Sequence, residues 1–191
     1  SNWCSGPVTF PVTYFTAYSL PPQYYMYLPI QYGNLPTTQS FVTLNINITS
    51  TSPVRLFIFT PSQFNEFGNL NMQQAWQFTG PAYYYGGEST TFDTSINLET
   101  TQLTSGGYYL VISDVLPNAQ PAVINGEVSI TFIPSPPNIP TTATSINLTG
   151  TTIPTIQPLP NITIPTITPP NITIPTINIT IPTINITIPN T

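Results

Sequence analysis

The last third of the chain repeats a seven-residue unit that carries a proline in every copy, and this constrains the fold more than any other feature. Asn171-Ile-Thr-Ile-Pro-Thr-Ile177 is followed by an identical unit over 178–184, then by Asn185-Ile-Thr-Ile-Pro-Asn-Thr191. Another copy, Asn161 to Ile167, is set off by Thr168-Pro169-Pro170. A heptad suggests a coiled coil, but a proline in a helix interior costs about 3 kcal/mol. Proline also pushes the preceding residue toward β or polyproline II backbone. The segment is therefore expected to be extended, and at about 3.1 Å per residue it would reach on the order of 180 Å.

Composition marks where this tail begins. Residues 134–191 hold 13 of the 24 prolines and 15 isoleucines, without one charged or aromatic side chain. We divide the chain into an N-terminal strand over 1–20, a body over 21–133 and the tail over 134–191. The body is long enough for one well-buried core.

The body reads as all-β. Phe41, Thr43, Asn45 and Asn47 alternate with Val42, Leu44, Ile46 and Ile48, the period of a half-buried strand. Val54 to Thr60 is denser in apolar residues and so more central. Further strands are expected at Trp76 to Thr79, Thr90 to Leu98, Tyr108 to Ser113 and Val123 to Ile133. Turns are expected at Ser52-Pro53, Gly80-Pro81, Gly86-Gly87, Ser105-Gly106-Gly107, Leu116-Pro117-Asn118 and Asn125-Gly126. Short strands at this spacing predict a β-sandwich, Ig-like or jelly-roll-like. Pro61 to Gln74 is the one stretch compatible with a helical turn.

Charge scarcity then removes whole classes of function. There is one basic residue, Arg55, six acidic ones and no histidine. Histidine triads, imidazole metal sites, Schiff bases and Walker-type loops all need side chains this chain lacks. Counterion release on nucleic acid needs clustered Lys and Arg. Glu88, Asp93 and Glu99 lack the regular spacing of a calcium loop. We expect no enzyme, no metal and no cofactor beyond covalent glycans. With six carboxylates, the dependence of stability on pH is expected to be shallow, which suits an acidic habitat. The initial Ser1 fits a secreted chain whose targeting peptide has been removed. No run of eighteen apolar residues spans a membrane.

Each tail repeat opens with Asn-Ile-Thr, an N-glycosylation acceptor. The candidate sites are Asn147, Asn161, Asn171, Asn178 and Asn185 in the tail and Asn47 in the body. Glycans there would shield isoleucine-rich, β-prone surface. Alternatively the tail is packing material, because its Ile-Thr alternation makes good strands. Cys4 is a single cysteine, either an intermolecular thiol or without a role. Tyr83, Tyr84 and Tyr85, like Tyr24, Tyr25 and Tyr27, are candidates for stacking on sugars or for filling a core. Arg55 is expected to pair a carboxylate or to reach the sheet edge.

In the N-terminal strand Val8, Phe10, Val12 and Tyr14 share one face, opposite Thr9, Pro11 and Thr13. Pro11 limits pairing on one side. Two readings remain open: the edge strand of its own sheet, or a donor strand completing a neighbouring subunit's sheet.

Leu103-Thr-Ser-Gly-Gly-Tyr-Tyr-Leu-Val-Ile-Ser113 resembles the penultimate strand of extracellular sandwich modules of the bacterial prepeptidase C-terminal type, which implies the sandwich fold. In layout, a Lys-free, sequon-bearing sandwich with an amphipathic N-terminal strand resembles the thread-type pilins and surface glycoproteins of thermoacidophilic archaea. That resemblance implies a head-to-tail adhesive filament, a homopolymer with Val8, Phe10, Val12 and Tyr14 seated in the next subunit. The other reading is a monomeric surface or S-layer-associated module that binds carbohydrate through its tyrosines at the end of a glycosylated stalk.

Overall fold

The computed structural model describes residues 6–135, 144–146, 155–158 and 184–186. The fold is all-β in its essentials, a curled antiparallel sheet with three short helices. In chain order the elements are β1 (Val8–Leu20), β2 (Tyr24–Ile30), β3 (Phe41–Phe59), α1 (Pro61–Gly68), α2 (Met72–Gln77), β4 (Tyr84–Glu99), α3 (Thr100–Ser105), β5 (Tyr108–Ser113) and β6 (Ala122–Phe132), with β7 (Thr144–Ile146), β8 (Thr155–Pro158) and β9 (Ile184–Ile186) from the tail. The strand order is β1-β6-β3-β5-β2-β8, with β4 also on β3; β7 and β9 form a separate pair.

The axis of the sheet is β3. Two strands parted by a turn at Ser52-Pro53 were expected, and one strand of 19 residues is found. It pairs β6 over Thr43 to Ser50 and β5 over Arg55 to Phe59, while β4 accompanies both stretches. Proline has no N–H to donate, so at Pro53 the ladder lapses and the register shifts between Thr49 and Val54. Side chains bridge the gap: Ser52 Oγ donates to the Pro121 carbonyl at 2.8 Å, and Val123 N–H donates to Thr51 Oγ1 at 2.9 Å. The proline marks a change of partner, not an end.

The two stretches differ in what covers them. Val42, Leu44, Ile46, Ile48, Leu56 and Ile58 all face one core, shared with Met26 and Leu28 of β2, Leu110 and Ile112 of β5, and Val128 and Ile130 of β6. Behind the rear stretch lies a second, aromatic core of Tyr25, Phe57, Phe59, Phe67 and Val111 beneath α1 and α2. Burial on both faces is why Leu56 to Phe59 is apolar throughout, whereas the front stretch alternates.

The helices correct the expectation of a strand at Trp76 to Thr79. Thr60 caps α1, with Gln63 Oε1 accepting from the Thr60 N–H at 3.0 Å and Pro61 opening the helix; Asn71 and Gln74 form the same reciprocal box on α2. These Thr-x-x-Gln and Asn-x-x-Gln signatures are legible in the sequence. Trp76 thus lies in the last turn of α2, and its Nε1 donates to Gln23 Oε1 at 3.1 Å.

Two further expected turns lie inside strands. Gly86 and Gly87 lie within β4 at a register shift opposite Leu56 and Phe57. Gly126 lies within β6 at φ +135°, where a Cβ would come within 2.1 Å of the Asn47 carbonyl oxygen. Only glycine lets β6 approach β3 so closely. Beside it Asn125 Oδ1 accepts from the Ala17 N–H at 2.7 Å. Among the described residues no helix is long and apolar enough to cross a membrane.

Candidate functional site

The described surface holds two regions of interest: β1 at one end of the strand order, and the polar outer face beside it. Strand β1 pairs β6 of its own chain from Val8↔Phe132 to Leu20↔Ala122 and has no second neighbour along the sheet path. Phe10 and Val12 are buried in the main core, with Val8 packed against it; the Phe10 ring stacks on Phe132 at 5.8 Å. Tyr14 departs from the expected face. The register shifts between Pro11 and Thr13, so the alternation reverses; Tyr14 is 41 % exposed, and Phe15 is buried instead. After a second shift between Phe15 and Tyr18, Tyr18 and Leu20 also turn inward. The apolar set seated by β1 is therefore Phe10, Val12, Phe15, Tyr18 and Leu20. A bulge moves every later side chain to the other face, and strict alternation cannot anticipate it.

On the outer face, polar side chains join four strands. Thr9 and Thr131 share a hydroxyl hydrogen bond of 2.7 Å, and Asn45 Nδ2 donates to Thr131 Oγ1 at 2.9 Å and to Ser129 Oγ at 3.2 Å. Ser95 Oγ donates to Asn45 Oδ1 at 3.0 Å. The next row across the sheet is Tyr14, Glu127, Asn47 and Asp93. Asn47 and Thr49, the two ends of the sequon, are exposed here and border a shallow depression of about 460 Å³ lined also by Tyr14, Asn125 and Glu127. An acceptor amide at this place is open to solvent. Asn147, Asn161, Asn171, Asn178 and Cys4 lie outside the described residues. Asn185 lies in β9, opposite Ser145 of β7.

The tyrosine triplet does not form one platform. Tyr83 precedes β4 and packs on the main core; within the strand successive residues face opposite sides, so Tyr84 packs on the main core and Tyr85 on the aromatic one. Tyr85 stacks on Phe57 at 4.9 Å, Tyr83 meets Tyr108 at 4.8 Å, and the Tyr83 hydroxyl donates to the Asn97 carbonyl at 2.6 Å. Tyr24 and Tyr25 are divided between the two cores in the same way. Arg55 pairs Glu88, with Nε 3.4 Å from Oε1, while its Nη1 donates to the Ala75 carbonyl at 3.1 Å.

One carboxylate is set apart by burial. Asp114, after β5, is fully buried, and neither side-chain oxygen has a hydrogen-bond partner. Its backbone is tied to β2 by Asp114 N–H to the Tyr24 carbonyl at 2.9 Å. Desolvation disfavours the charged form and pushes its pKa up to about 8. The expected shallow dependence on pH therefore does not hold for this residue. No sequence pattern distinguished Asp114 from the other five acids, because its burial arises from the packing of β2 against β5.

Set against known proteins, the chain matches no protein-family model and no curated protein.

Proposed function

We propose that this protein is the structural subunit of an extracellular, glycosylated, pilus-like filament. In this reading the curled sheet is a β-sandwich, and copies are joined head to tail by exchange of β1. The observation that carries it is the position of β1: a strand at the end of the sheet path, paired among the described residues with β6, that inserts five large apolar side chains into the main core. A strand at the end of a path can leave its sheet without parting the other described strands from one another. The groove it leaves is apolar, and full burial of each such side chain is worth about 1.5 to 3 kcal/mol, so the same strand of another copy is the natural occupant. The outer face adds a second support. Its polarity comes from Thr, Ser and Asn, with Asn47 exposed among them, which suits a surface kept soluble by amides, hydroxyls and sugars.

The test is disulfide trapping. Thr9 and Thr131 face each other with hydroxyls in contact, so Thr9→Cys with Thr131→Cys, in a Cys4→Ser background, reports which chain supplies β1. Oxidising assembled material is expected to yield a ladder of covalent oligomers on a non-reducing gel. A single monomer band from filaments overturns the proposal.

A further inference from the structure

The opposite end of the strand order is covered by the tail. Strand β8 lies antiparallel on β2, with Thr155 opposite Tyr27, Ile156 opposite Met26 and Gln157 opposite Tyr25. Ile156 is half-buried and packs against the main core, while Thr155 and Gln157 are exposed. The seat therefore reads little beyond a short backbone ladder and one inward isoleucine.

That short sequence recurs. Pro154-Thr155-Ile156-Gln157 is matched by Pro165-Thr166-Ile167-Thr168, Pro175-Thr176-Ile177-Asn178 and Pro182-Thr183-Ile184-Asn185. The copies keep the threonine, the isoleucine and a preceding proline, a residue that favours extended backbone. They vary at the position of Gln157, which faces solvent, and at that of Pro158, which lies opposite Tyr24 and is replaced by Pro169, Ile179 or Ile186. One edge seats one tetrad, so each chain carries more copies of the seated sequence than it has seats. The distance along the chain suits a link between copies. From Ile156 to Ile177 an extended chain covers about 65 Å, whereas a domain the size of this body has a radius of gyration of about 14 Å.

We infer that the β2 edge is a receptor for the Pro-Thr-Ile-X tetrad and that the tail of a second copy occupies it, linking neighbours by strand addition. The contact is chemically distinct from exchange of β1 and sits at the other end of the sheet. A sugar on Asn178 is compatible with it, since the fourth position points to solvent. Several weak tetrads on one chain also raise the effective concentration of each for nearby edges.

The experiment uses the full-length protein and a synthetic peptide of residues 175–181, Pro-Thr-Ile-Asn-Ile-Thr-Ile, with a photoreactive group in place of Thr176. Irradiation is expected to label residues 24–28, the strand that Thr155 faces. Ile156→Asp, which unseats the chain's own tetrad without touching the body, is expected to raise peptide affinity at least tenfold. A peptide carrying Ile177→Asp is expected to label at background. Labelling elsewhere, labelling indifferent to the peptide's isoleucine, or affinity unchanged by Ile156→Asp overturns the inference. The oxidised Thr9→Cys, Thr131→Cys variant is expected to capture the peptide equally, so failure here leaves the β1 reading standing and the reverse also holds.

Discussion

The front and rear stretches of β3 belong to one strand yet live in different surroundings. The front, between β6 and β4, buries one face and shows solvent a ladder of Thr, Asn and Ser. The rear, between β5 and β4, is covered on both faces, by the main core and by the aromatic core under α1 and α2. A strand covered twice is locked by packing from either side. A region covered once depends on its ladder, and this is where β1, with its single ladder, attaches. The rear is thus held by packing on both faces, and the front by packing on one.

The largest expected effect tests the rear. Asp114 holds its proton more tightly folded than unfolded, because its pKa rises from 3.8 to about 8. Its contribution is therefore complete below about pH 4 and is lost as pH rises through 8, on the order of 5 kcal/mol at most. Denaturation midpoints are expected to fall across that range, and Asp114→Asn to flatten the profile; an unchanged slope in the variant would assign it to another group. Phe57→Ala, in the same region, removes a ring that contacts Phe59, Phe67, Phe78 and Tyr85. A loss of about 3 to 5 kcal/mol is expected in chemical denaturation.

In the front, Gly126→Ala is expected to cost about 3 kcal/mol by forcing β6 from β3 at a strained φ. The same denaturation assay reads it, and a loss no larger than that of an ordinary surface substitution would mean the close approach of β6 to β3 can relax. Asn45→Ala breaks the cross-strand ladder and is expected to cost about 1 kcal/mol, since the group is half exposed and water replaces part of what is lost. If it costs as much as Phe57→Ala, the contrast between the stretches fails. Smallest is Glu88→Gln, whose pair with Arg55 is open to solvent on the glutamate side. Less than about 1 kcal/mol is expected, vanishing in added salt.

Much of this architecture was legible in local pattern. Tyr108 to Ser113 and the alternation from Phe41 to Ile48 are strands as expected, and the apolar density of Val54 to Phe59 marks double coverage. Strand β2 was missed because Pro21, Pro22 and Pro29 hide it among turn signals. The helices are short, and their local signal is confined to the capping boxes Thr60 to Gln63 and Asn71 to Gln74. Part of the β1 face, Val8, Phe10 and Val12, follows from alternation; Phe15, Tyr18 and Leu20 do not, because bulges reverse it.

The sequence by itself determined the β character of the chain, the punctuated tail, the sequons, the single basic side chain and the lack of imidazole, since each follows from what a residue is or from its nearest neighbours. Only the tertiary structure decided that Ser52-Pro53 is a change of partner, that Asn125-Gly126 and Gly86-Gly87 lie inside strands, that the tyrosine triplets serve two cores, and that Asp114 is dry. Those outcomes depend on which strand lies across the way, and register between residues as distant as Asn47 and Gly126 is set by packing that no local window contains.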